Sequence, residues 1–134
     1  MKLPADVPRR LPNCGVVALS IALNKPYKEV EMFWKIRRNG NWKGRTSLLE
    51  IIEFLKINGH STQGFRTPIE RVNLRKAFQK NYFKKDSTYM VWTTRHLQVV
   101  KGGKVIDQNV EEAVHYSEFW GAGKRVQFIL EVKG

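Results

Sequence analysis

The feature that most restricts the fold is the pair Gly102-Gly103, set between two runs rich in β-branched residues, Leu97 to Lys101 and Lys104 to Asn109. Adjacent glycines accept the positive φ angles of a two-residue hairpin turn, so the flanking runs are expected to pair as antiparallel strands. With those glycines as the turn, Lys101 faces Lys104 and the register follows residue by residue. His96 then falls opposite Asn109, and Gln98 opposite Asp107. Strand alternation puts these four polar residues on one face and Leu97, Val99 and Ile106 on the other. His96 and Asp107 become diagonal neighbours, about 7–8 Å apart at the backbone, within reach of side chains that lean together. A half-exposed hairpin also carries one polar face, so solvation alone would account for the same pattern.

Thr88 to Thr94 and Val126 to Val132 have the same β-branched and aromatic character and predict two more strands. Upstream, the signals are helical. Pro4, Pro8 and Pro12 make residues 1–12 an extended lead-in. Asn13 is suited to cap a helix opening at Cys14 and running to about Leu23. Its sequence VVALSIAL is apolar all round, which predicts a buried helix. A second helix is expected from Pro26 to about Arg37. Gly40, Trp42 and Gly44 mark a loop. Ser47 and Glu50 have capping-box spacing ahead of Leu48, Ile51, Ile52 and Leu55, with Gly59 as the stop. A fourth helix is expected from Thr67, with Pro68 in its first turn and Glu70 completing a box, to about Lys80. Helices first and an antiparallel sheet after them make an α+β chain. Without repeats or low-complexity linkers, the 134 residues read as one domain with a real core.

Charge is the outlying bulk property: 24 lysines and arginines against 12 acids leave a net +12. Such an excess suits an acidic partner, whether nucleic acid, a membrane surface or an acidic protein, and equally keeps a chain soluble. Arg71, Arg75, Lys76 and Lys80 would form a basic stripe on the fourth helix, fit for phosphates or for solvent. The longest apolar run, Val16 to Leu23, is too short to cross a bilayer, and the first ten residues lack a signal-peptide core. A single cysteine excludes an intramolecular disulfide and fits a reducing, cytoplasmic setting. One cysteine and three scattered histidines have no metal-ligand spacing, so neither metal nor cofactor is expected. His60, after the glycine stop, and His115, in a polar stretch, read as surface residues.

A free cysteine is usually a small buried hydrophobe. Cys14 differs by standing at the start of a buried helix, where the positive end of the dipole lowers a thiol pKa and main-chain N–H groups can hold an oxyanion. A histidine base oriented by Asp or Asn would complete a thiol nucleophile.

Asn13-Cys14-Gly15 followed by Val16-Val17-Ala18-Leu19 resembles the nucleophile helix of papain-like cysteine peptidases, most closely the bacteriocin-leader-processing (double-glycine) group. Gly44 to Leu48 and Glu53 to Gly59 are similar to that family's next helix. His96 to Val100 and Gly103 to Asp107 are similar to its histidine strand and the acidic strand after it. The resemblance runs over residues 12–132 in order. It implies a papain-like fold, Cys14 as nucleophile, His96 as general base and then acid, and Asp107 as orienting residue. Asn109 stands as the alternative third member, because Asp107 follows His96 sooner than in the family. The family's oxyanion glutamine, about six residues before the cysteine, is replaced by Pro8; loss of such a donor costs about 10²–10³ in turnover. Arg9, Arg10 or Asn13 are the available substitutes. Trp42 would wall a substrate cleft or pack back on the core. The implied activity is peptide-bond hydrolysis, with amidase, deamidase and acyl-transfer chemistry open to the same thiol. The competing expectation is a non-catalytic module gripping nucleic acid or an acidic protein through its basic surface.

Overall fold

The computed structural model describes residues 1–8, 13–66 and 71–134, with the side chains of 64–66 excepted. In chain order the elements are α1 (Cys14–Leu23), α2 (Tyr27–Arg37), α3 (Leu48–Ile57), β1 (Ser61–Arg66), α4 (Leu74–Gln79), β2 (Thr88–Thr93), β3 (His96–Lys101), β4 (Lys104–Ile106), β5 (Val114–His115) and β6 (Val126–Lys133). The strands form one antiparallel sheet in the order β1-β6-β2-β3-β4-β5.

Strand alternation gives the sheet two buried faces. Met90, Leu97, Val99, Ile106 and Leu130 pack with α1, α2 and α3 in one apolar cluster. Their neighbours Val91, Val100, Val105 and Ile129 turn the other way, into a second cluster with Leu74 and Ala77 of α4, Phe119 and Val126. The apolar run of α1 is the centre of the first cluster: Val16 to Ile21 are all buried. Among the described residues no helix is long and apolar enough to cross a membrane.

The α+β expectation is met, and most local signals act as expected. Val99 pairs Ile106, Val100 pairs Val105 and Lys101 pairs Lys104, with Gly102 and Gly103 at φ 59° and 79° in the turn. Ser47 and Glu50 form the full capping box of α3. Three differences have physical causes. The strand expected to reach Asn109 ends at Ile106, because the Asp107 carboxylate turns back to accept from the Asn109 main-chain N–H, 2.9 Å away. The fourth helix begins at Leu74 and is capped by Asn73, whose side-chain oxygen accepts from Lys76 N at 2.8 Å. Residues 72 and 73 cannot join it, since their backbone is tied to 125 and 126 by a β-bridge and the Val126 N–H to Val72 carbonyl bond. The expected start at Thr67, Pro68 and Glu70 lies outside the described residues. β1 interrupts the run of helices; its sequence STQGFR has no apolar alternation and becomes a strand by pairing with β6.

The N-terminal segment contributes a cap from a distance. The Asp6 carboxylate accepts from the Tyr27 and Lys28 N–H groups at 2.8 and 3.0 Å, fixing the start of α2. Its carboxyl is held below the ordinary range, chiefly by the Lys28 N–H.

Candidate active site

The site is assembled where the start of α1 meets the start of β3. β2 and β3 are joined by Thr94 and Arg95, with Thr93 paired to His96. That closing pair turns the backbone of His96 toward β2, so alternation turns the Leu97 N–H to the opposite side, past the end of β4. The main-chain N–H groups of Leu97, Cys14 and Gly15 are near enough to the Cys14 sulfur to favour its ionised form. Cys14 is only partly buried.

Asp107 joins from the far side of the hairpin. Its Oδ2 lies 2.6 Å from His96 Nε2 and accepts from the indole Nε1–H of Trp120 at 2.9 Å, while Oδ1 accepts from Asn109 N at 2.9 Å. Asp107 is 2% exposed and His96 8%, so this pair is sheltered from water. A carboxylate only accepts, so in this short contact Nε2 is the donor and Nδ1 is the ring nitrogen that Asp107 does not engage. Trp120 also covers the pair, its ring centroid 5.3 Å from that of His96, and Lys124 Nζ lies 4.5 Å from the centre of the indole.

Burial pushes the Cys14 thiol up from its ordinary value, and the Asp107 charge adds to this. The Leu97, Cys14 and Gly15 N–H groups pull the other way without prevailing. The lowering expected from the helix start is therefore reversed: the thiol is buried enough that removing its proton into a site already holding a carboxylate is unfavourable.

The third-position alternative is resolved in placement. Asp107 meets the His96 ring, while Asn109 is exposed and offers its main-chain N–H to Asp107. Gln98 is wholly buried and bonded to Thr93 and to the Val91 carbonyl. Asn13 does not aim at a substrate. Its amide nitrogen donates to the Tyr27 hydroxyl at 3.2 Å and the Pro8 carbonyl at 3.4 Å, and it caps α1 by position without a side-chain bond. Arg9 and Arg10 lie outside the described residues. Trp42 is half-buried against the core, its indole N–H on the Arg45 carbonyl at 2.8 Å. Arg71, Arg75, Lys76 and Lys80 are exposed but do not share one helix face, since Arg71 precedes α4 and Lys80 follows it. His115 is exposed, with its ring nitrogen capping a short 3-10 turn at Ser117. No group of three metal-ligating side chains occurs among the described residues.

Two contributors escaped the sequence reading. Trp120 is one: it stands in an irregular loop that no periodicity fixes. Thr46 is the other. Its hydroxyl is packed so closely on Gly15 that a Cβ there would lie 2.1 Å from Oγ1, so the 41–47 loop is seated directly on the start of α1. A cavity of about 570 Å³ opens at the other end of α1, beside Ile21, Asn24, Thr88 and Lys101; it is not lined by Cys14, His96 or Asp107.

No protein-family model, curated protein or solved structure matches the chain.

Proposed function

We propose that this chain is a cysteine hydrolase of papain-like fold, acting as a peptidase through Cys14, His96 and Asp107. The observation that carries the reading is the buried 2.6 Å contact of Asp107 with His96 Nε2, beside a cysteine at the start of a buried helix. Asp107 holds the ring so that Nδ1 is the free base. As the Cys14 sulfur attacks a carbonyl carbon, its proton passes to Nδ1. The oxyanion accepts from the Cys14 and Gly15 N–H groups, which have no intrahelical partner at a helix start. Collapse breaks the C–N bond, and His96 returns the proton to the leaving amine. Water then gives a proton to His96 and attacks the thioester; the C–S bond breaks, and the sulfur recovers its proton.

The raised thiol sharpens the test. With its thiol held up by burial, Cys14 carries less thiolate at neutral pH than a free cysteine, so in this reading its reactivity depends on His96 taking the proton during attack. Iodoacetamide alkylation of Cys14 near pH 7 is expected to fall about 10²-fold in His96→Ala, below the rate of a free thiol. Equal rates in both proteins would end the hydrolase reading. That outcome would favour the second reading, a binding module, which the raised thiol and the exposed Arg71, Arg75 and Lys76 support.

A further inference from the structure

The geometry points to a substrate with acidic residues beside the scissile bond, selected by a cationic rim around the thiol; this rests on the hydrolase reading above. Three parts of the site each carry a cation. Arg95 is one residue from His96, so its Cα is about 3.8 Å from that of the proposed base. It is exposed and holds φ 58°, which fixes it in the tight β2–β3 turn. Arg45 is exposed and adjoins Thr46, whose hydroxyl is seated on Gly15, and Lys43 is exposed in the same loop. Lys124 lies over Trp120, which itself donates to Asp107.

None of these four cations has a carboxylate partner among the described residues. Elsewhere, Lys25, Lys35, Arg37 and Arg38 are each paired with a glutamate. Lysines without a carboxylate partner also occur elsewhere among the described residues, as at Lys56 and Lys104, so what distinguishes these four is their attachment to residues of the site. The carboxylate inside the site, Asp107, is engaged by His96, Trp120 and the Asn109 N–H. Glu118, exposed two residues before Trp120, is the nearest surface acid in sequence. Surface cations attached to residues of the site set a local field that an approaching anion meets, screened by salt over about 10 Å at 0.1 M. A peptide bearing Asp or Glu gains from that field on approach and when bound; one bearing Lys or Arg is repelled.

Two alkylating agents of nearly equal size test this without a known substrate. Iodoacetate carries a negative charge and iodoacetamide none, and the ratio of their rates at Cys14 reports the local field. The ratio normalises for any change in the thiol itself. In the native protein at low salt it is expected to exceed that of glutathione and to fall as salt rises. In the Arg45→Glu/Arg95→Glu double variant it is expected to fall about three- to tenfold, and by a smaller factor in Arg45→Gln/Arg95→Gln. A folding control is the denaturation midpoint of each variant. A ratio within twofold of native in both double variants, with iodoacetamide labelling still dependent on His96, would overturn the cationic rim and leave the hydrolase standing. Labelling by iodoacetamide that ignores His96→Ala would instead remove the hydrolase, and the substrate assignment with it.

Discussion

Two buried carboxylates, Glu50 and Asp107, keep different company. Glu50, 7% exposed, accepts from the Ser47 N–H at 3.0 Å and pairs with Arg38 at 2.8 Å. Each of those bonds closes a helix: Ser47 and Glu50 form the box at the start of α3, and Arg38 ends α2. Asp107 closes none. Its partners are an imidazole, an indole N–H and the N–H of its own Asx turn, gathered beside a thiol. Buried polar groups must be satisfied in either place. The difference is that Glu50's partners all close helices, whereas Asp107, besides ending β4 through the Asn109 N–H, spends its other oxygen on an imidazole and an indole.

The largest expected effect separates the two. Asp107→Asn keeps the shape but removes the acceptor-only carboxylate that fixes the imidazole proton on Nε2. Its iodoacetamide rate at Cys14 is expected to fall about tenfold or more at pH 7. Glu50→Gln is expected to leave that rate alone and to lower stability by about 1–3 kcal/mol, through loss of the charged bond to Arg38. Denaturant midpoints and mass-spectrometric labelling of the same two proteins make the comparison. Equal losses of rate in both would mean that Asp107 acts only through the fold.

How much of each region could be read beforehand follows from the kind of constraint that builds it. The His96–Asp107 pair was legible because two glycines fix a register, and a register fixes every residue across it. The capping box was legible because its signal spans four residues of sequence. Trp120 was not, since its place depends on how a loop after a 3-10 turn settles on the sheet. Nor was the true start of α4, where the bridge between Asn73 and Arg125 overrides the local helix signals. Cys14 shows the limit in energetics. Its place at the helix start was correct, but the direction of its pKa depends on how deeply the sulfur is covered, and no spacing encodes that.

A smaller effect tests whether the loop on α1 belongs to the site or to the core. Gly15→Ala puts a methyl group 2.1 Å from Thr46 Oγ1 and 3.1 Å from its Cγ2. Something must move, at an expected 1–3 kcal/mol or so. Thr46→Ala removes Oγ1 and Cγ2 but keeps the Thr46 Cβ, 3.0 Å from the new carbon, so the double variant is expected to recover part of the loss. A coupling of about 0.5 kcal/mol or more in the double-mutant cycle would be its signature. Purely additive losses would show that Gly15 is needed for some reason other than Thr46.

The smallest effect returns to the two carboxylate neighbourhoods, through pH. Burial alone would raise the Glu50 carboxyl, but the bonds from Arg38 and Ser47 outweigh it and hold the group below its ordinary value. A depressed carboxyl contributes stability that is full above the unfolded value, about 4.3, and is lost as pH falls through the folded one. Cys14 has the opposite sign. Burial holds its thiol above the unfolded value of about 8.5, so the unfolded chain releases that proton first. The folded state is then relatively disfavoured as pH climbs from there toward the folded value. Glu50→Gln is expected to flatten the acid limb of stability against pH and leave the alkaline limb, while Cys14→Ala flattens the alkaline limb alone. Lysines and tyrosines titrate nearby, so the readout is the difference between each variant and the native protein. If Cys14→Ala instead steepened the alkaline limb, the thiol would be ionising more easily folded than unfolded, and the site would hold a resting thiolate rather than a thiol awaiting His96.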